Sequence, residues 1–281
     1  MWKTNYHTHS EYCDGVGKPE EYVKTALKKG FAALGFSGHA PLPFPNSWTM
    51  DDENLPVYLN EIRRLKEQYS PRIEIYLGLE SDYLDEKYNA LTSGVEALKL
   101  DYQISSVHML PDRDDGEYYS VDGPQDELQH LIKLTFGGSV QDFIRAYYQQ
   151  VQRMVATGGF DIIGHIDLIK KHNQQLGFFS EEDSWYRKII EETLEVVAGS
   201  GLMLEVNTGA ISRGYTLEPY PSPWIIELCA QADIPVILTA DAHKPEHIDF
   251  AFPETEQLLI SKGYHHGWAL MQNRWQEVQF G

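Results

Sequence analysis

The sequence predicts an α/β fold, a parallel sheet with helices between its strands, in a chain of 281 residues that is long enough for one large domain or two small ones. Closed α/β barrels reach this length as one domain. Three observations carry the prediction. Short apolar or β-branched segments recur seven times along the chain, most of them followed by polar loop and a helical stretch. That alternation of strand and helix is the signature of parallel pairing. His, Asp and Glu residues stand where the apolar segments end, and in a parallel barrel all those ends open on one face, where barrel enzymes place their chemistry.

The seven segments are residues 5–9, 33–38, 73–79, 102–107, 160–166, 202–207 and 235–240. Near-continuous apolar runs such as Ile73-Glu74-Ile75-Tyr76-Leu77 and Val236-Ile237-Leu238 suit strands covered by a helical layer. Pro19-Glu20-Glu21 opens the first helix and Gly30 closes it. Residues 53–69 carry Leu55, Leu59, Ile62 and Leu65 at helical spacing. Further helices are expected over 142–156, after Ser180 with Asp183 three residues on, over 224–232 and over 254–262. Two stretches break the rhythm. Residues 40–52 hold Pro41, Pro43 and Pro45, too many prolines for helix or central strand. Residues 109–140 read as a long loop, with Asp112, Asp114 and Asp115 near its start, and loops of that length are often lids or binding loops.

A hydrophobic fraction of 42% is enough for a sizeable core, and a net charge of −19 argues against non-specific binding to nucleic acid or an anionic membrane. Two cysteines, Cys13 and Cys229, are too few for a disulfide framework. With no apolar signal core and no run long enough to span a bilayer, a soluble cytoplasmic protein is expected.

His7 and His9, one residue apart, project to the same side of an extended segment. Asp14 follows in the next loop. His39, Glu80, His108, His165, and Asp241 with His243 stand at the ends of later segments. These nine side chains from six strands exceed the three or four ligands of one catalytic zinc and suit two or three metals, with Glu80 or Asp241 able to bridge. His130, His172, His247, His265 and His266 lie away from the strand ends and read as surface or structural residues.

His7-Thr8-His9-Ser10, Tyr12-Cys13-Asp14-Gly15, Gly38-His39-Ala40-Pro41, Gly78-Leu79-Glu80, Ser106-Val107-His108, Gly164-His165-Ile166-Asp167 and Asp241-Ala242-His243 together resemble the PHP (polymerase and histidinol phosphatase) superfamily, in order and along essentially the whole chain. Within it, residues 39–44 and 164–171 are most similar to the bacterial L-histidinol-phosphate phosphatases. The resemblance implies a single domain over residues 1–281, a distorted seven-stranded (β/α) barrel with three divalent ions, Zn, Mn or Fe, at the C-terminal ends of the strands. It assigns His7, His9, Glu80 and Asp241 to one ion. Glu80, His108 and His165 hold a second, and Asp14, His39 and His243 the third. The implied activity is hydrolysis of L-histidinol phosphate, a step of histidine biosynthesis, by a metal-activated hydroxide, with Asp241 or His243 handling the proton near the leaving group. Another small phosphate ester, such as a nucleotide or sugar phosphate, is the alternative substrate. The amidohydrolases also begin with H-x-H on a barrel strand, but their bridging lysine has no counterpart here and His39 has no place in their scheme.

Outside the ligands, Arg213 follows the sixth segment in a loop that opens on the same face, and a guanidinium can hold two phosphate oxygens. Lys170 and Lys171 are weaker candidates of the same kind. A pocket for an amine and an imidazole calls for aromatic walls and a carboxylate. Phe44 and Trp48 are the candidate walls, and Asp167 or the acidic 112–117 loop the candidate carboxylate.

Overall fold

The computed structural model describes residues 3–91, 95–112 and 116–281. Seven parallel strands form one sheet in the order β1 (Thr4–Asn5), β2 (Ala33–Phe36), β3 (Glu74–Asp82), β4 (Tyr102–Ser106), β7 (Ile162–Ile163), β8 (Met203–Asn207) and β9 (Val236–Thr239). Each falls within or overlaps one of the seven expected segments. The sheet curls into a nearly closed barrel. Its two edge strands meet beyond their regular ladders: Thr8 bridges Ala242 in parallel, His9 N donates to Ala242 O at 2.9 Å, and Ala242 N donates to His7 O at 3.1 Å.

Helices connect the strands on the outside. α1 (Pro19–Lys28) begins with proline at its first position, where no intrahelical N–H is needed. α2 (Asn54–Tyr69) turns Tyr58, Leu59, Ile62, Leu65 and Tyr69 onto the sheet. The segment 109–140 is not a plain loop. It holds a hairpin, β5 (Met109–Pro111) with β6 (Tyr118–Ser120), and α3 (Gln125–Thr135). Met109 and Leu110 are buried in the hairpin, and Leu128, Leu131 and Ile132 at helical spacing anchor α3. α4 (Val140–Thr157) is capped by Ser139, whose hydroxyl accepts from Asp142 N at 3.2 Å. After α5 (Asn173–Leu176), α6 (Ser184–Ser200) starts from Asp183 as its N-cap residue, three residues past Ser180. α7 (Gly209–Ser212), α8 (Pro223–Gln231) and α9 (Phe252–Ser261) complete the set. None of the helices among the described residues is long and apolar enough to cross a membrane.

The last element expected from the sequence is the helix over 254–262. Beyond it, β10 (His266–Met271) and β11 (Arg274–Gln279) form an antiparallel hairpin. Ala269, Leu270 and Met271 pack with Tyr6, Tyr76, Tyr102, Ile104 and Ile237 of the barrel strands. Tyr6 Oη donates to Leu270 O at 2.7 Å. Any side chain at Gly35 or Gly78 would overlap the Tyr102 ring.

Candidate metal centre

All nine expected ligands meet at the C-terminal mouth of the barrel. His7 and His9 arrive on the seam segment, with ring centroids 5.0 Å apart. Glu80 sits at the centre and faces two ways. Its Oε2 lies 3.1 Å from His7 Nε2, 3.5 Å from His9 Nε2 and 3.0 Å from His39 Nδ1. Its Oε1 lies 3.0 Å from His165 Nε2 and 3.6 Å from His108 Nε2, and those two nitrogens are 3.2 Å apart. Asp241 Oδ1 faces His9 Nε2 at 3.2 Å and His7 Nε2 at 3.7 Å. Asp14 faces His243 Nε2 at 3.1 Å, His9 Nδ1 at 3.5 Å and His39 Nε2 at 3.8 Å. Asp241 adopts a left-handed backbone, φ +44°, a strained conformation that aspartate tolerates better than most residues.

Two further carboxylates, to which the sequence reading assigned no role, hold ligands from behind. Glu205 on β8 accepts from His7 Nδ1 at 2.5 Å and from Thr239 Oγ1 at 2.6 Å through one oxygen. Its other oxygen accepts from His165 N at 2.8 Å and Asn207 Nδ2 at 3.0 Å. Asp82 on β3 accepts from His108 Nδ1 at 2.9 Å. In both imidazoles the Nδ1 proton is thereby placed outward and Nε2 is aimed inward. The signal was present: Asp82 follows Glu80 at strand period two, and Glu205 is a charge inside the buried run Met203-Leu204-Glu205-Val206-Asn207. Ser106 Oγ adds a 2.6 Å bond to Glu80 Oε1.

Burial opposes charge on His7, but Glu205, Glu80 and Asp241 raise its pKa well above the usual imidazole value. Burial also works against His108, yet Asp82 and Glu80 push it up to about 10. His39 goes the other way. Burial, with His9 and His108 beside it, takes it down to about 3 despite Glu80. Burial would raise both central carboxylates, but His7, His39 and His108 hold Glu80 far below the usual range, and Arg213 and His7 do the same for Asp241.

The donor set fits divalent metal ions. His9 Nε2 and His39 Nδ1 are buried without a hydrogen-bond partner, although both lie close to carboxylate oxygens. A buried polar group left unpaired costs about 1–3 kcal/mol, so lone pairs converging in this way are suited to a shared cation. His9, Asp14, His39 and His243 form one group, His7, His9 and Asp241 a second, and His39, Glu80 and His108 a third. Within each group the donor atoms lie within 4.8 Å of one another, close to the roughly 4.4 Å that two ligands of one ion can span. The grouping departs from the implied allotment by placing His9 beside Asp14 and His39 beside Glu80.

The centre forms the floor of a cleft of about 660 Å³. Arg213 and Trp48 line it as expected. Arg213 Nη2 donates to Asp241 Oδ2 at 2.9 Å and Nη1 lies 2.7 Å from His243 Nδ1. Trp48 packs edge-on against His39 and His108, with centroids 4.7 and 5.4 Å away. Phe44 does not reach the cleft. It stacks on Tyr118 at 5.8 Å, because the proline-rich segment turns its ring onto the hairpin. Lys170 is also misplaced as a substrate contact. Its ammonium is buried against Asp167 at 2.9 Å, Pro219 O at 3.1 Å and Ser222 Oγ at 2.5 Å. The same contacts remove Asp167 from the list of candidate amine-binding carboxylates. Asp114 and Asp115 lie outside the described residues. The neighbouring Lys171 does line the cleft, as do Asp122, Tyr215 and His247.

Residues 5–209 match the family model of the PHP domain. The chain belongs to the PHP domain family. Among its PHP relatives, a protein of Deinococcus radiodurans named probable histidinol-phosphatase is 32% identical over 260 residues, covering 92% of each chain. The histidinol-phosphatase of Bacillus subtilis is 29% identical over 267 residues, covering 90% of this chain and 97% of its own. The histidinol phosphate phosphatase of Lactococcus lactis, solved with zinc, L-histidinol and phosphate, superposes with a TM-score of 0.75 over 98% of both chains at 21% identity, which establishes the shared fold.

Proposed function

We propose that this PHP protein hydrolyses L-histidinol phosphate to L-histidinol and inorganic phosphate, and that its nine ligands hold three divalent ions. The observation that carries the hydrolytic reading is Glu80, whose two oxygens face separate sets of imidazoles at the floor of an open cleft. The substrate assignment is supported by end-to-end similarity to histidinol-phosphatases. Bound there, divalent ions would neutralise phosphoryl oxygens and bring the pKa of a water nucleophile toward about 7.

The chain's own groups supply the rest. Arg213 is positioned to exchange its hold on Asp241 for two phosphoryl oxygens, the geometry in which a guanidinium is strongest. Asp241 and His243, both touching Arg213, are assigned to proton handling at the departing oxygen. Trp48 shields the His39–His108 flank from water. Imidazole suits zinc, while the oxygen of Asp14 in the outer group also favours Mn or Fe.

The test is phosphate release from L-histidinol phosphate by Mn-, Fe- and Zn-loaded protein, beside a panel of nucleotide and sugar monoesters. A kcat/KM at least a hundredfold above the panel is expected. Equal or better turnover of a panel ester would transfer the assignment to that ester and leave the metal centre in place.

A further inference from the structure

We propose that Asp122 is the specificity residue for this site, the carboxylate that receives the substrate's ammonium group. The inference rests on the histidinol phosphate reading and deepens it. Among the described residues, four carboxylates line the cleft: Asp14, Glu80, Asp122 and Asp241. Three of them belong to the ligand groups, which leaves Asp122. The remaining charged lining is cationic, Arg213, Lys171 and Lys244, and a cation entering beside metal ions and these side chains is repelled unless an anion meets it.

Asp122 is held as a built feature. Its neighbour Val121 donates N–H to His108 O at 2.9 Å, which ties the segment to a ligand-bearing strand end. On the other side His172 Nε2 donates to Gly123 O at 2.7 Å. Lys171 Nζ donates to both the backbone oxygen and Oδ2 of Asp122, each at 2.8 Å, and lies 4.7 Å from the Tyr215 ring centroid. The lysine therefore keeps two anchors that do not depend on the carboxylate. Among the described residues, Asp122 Oδ1 accepts the Ser120 hydroxyl alone, at 3.1 Å. A carboxylate oxygen has room for another donor, and an ammonium brings three. With the phosphate on the cleft floor, the ammonium, on the carbon next to the ester-bearing CH₂, projects toward the wall.

The experiment compares kcat/KM for L-histidinol phosphate with that for its des-amino analogue, 3-(imidazol-4-yl)propyl phosphate, in the wild type and in Asp122→Asn and Asp122→Glu. Asparagine keeps one acceptor oxygen for Lys171 and can turn its amide N–H toward the Ser120 hydroxyl, but it carries no charge. The expected result is that the preference for the amine falls at least tenfold in Asp122→Asn, through KM more than kcat, and is partly restored in Asp122→Glu. A purely structural role lowers both substrates together and leaves the ratio unchanged, and that result overturns the assignment. If the wild type itself shows no preference for the amine, the Asp122 assignment falls with it. The histidinol phosphate reading is judged separately, by the wild-type panel of monoesters.

Discussion

Glu205 and His7 are joined through a 2.5 Å contact between Oε1 and Nδ1, reaching past β9 from strands two apart around the barrel. Glu205 receives three further donors, from Thr239, His165 and Asn207, so its position is over-determined. It fixes the His7 tautomer and the backbone of His165 at once. Glu205→Gln should lower metal affinity and kcat by roughly 10–100-fold, the usual cost of removing such a partner. Metal content after dialysis against a graded chelator series is the measurement. Retention equal to the wild type would show that Glu205 is only a packing residue.

Arg213 touches both Asp241 and His243 yet belongs to none of the metal groups. Arg213→Ala should therefore reduce kcat/KM by tenfold or more while metal content stays near wild type. A loss below about threefold, equivalent to roughly 0.6 kcal/mol, would remove Arg213 from phosphate recognition.

The raised pKa values of His7 and His108 predict that metal uptake expels protons. With His108 near 10, its imidazole is protonated at neutral pH before an ion arrives, and a ligand nitrogen must be bare. The metal-free state thus binds more protons than the metal-bound state, and affinity rises with pH up to about 10. Calorimetric titration of Mn²⁺ in two buffers of different ionisation enthalpy reads the proton count directly. Identical heats in both would contradict it.

Lys170 is a stability residue. Its ammonium faces the buried Asp167 carboxylate at 2.9 Å. Lys170→Met would strand that charge and should cost about 3–5 kcal/mol, read as a lowered denaturation midpoint, while the folded fraction keeps its KM. A large KM effect at unchanged stability would return Lys170 to the substrate site.

What was legible in the sequence was what repeats. Strand ends carry the candidate ligands, so the positions of His39, His108 and His165 at the mouth could be found from the apolar run before each. Glu205 escaped because it sits inside its strand, where an apolar run hides which face each side chain takes. Lys170 and Lys171 are adjacent and chemically alike, and only tertiary packing decides that the first is buried and the second faces the cleft. The final hairpin escaped for a local reason. Its turn is Gln272-Asn273, both at positive φ, without the glycine that usually marks such a turn. Residues 109–140 were read by their acidic start, while the apolar positions of α3 that fold them lay further on.

The barrel seam joins His7 and His9 to Ala242, so the first and last ligand segments are also the edges that close the cylinder. During synthesis those edges leave the ribosome more than two hundred residues apart. Until residue 243 has emerged, the nascent chain has neither a closed barrel nor the Asp241 and His243 donors. A chain cut short before β9 therefore lacks the enclosure and two of the nine candidate donors, so filling of the whole set would report that the chain is complete through residue 243.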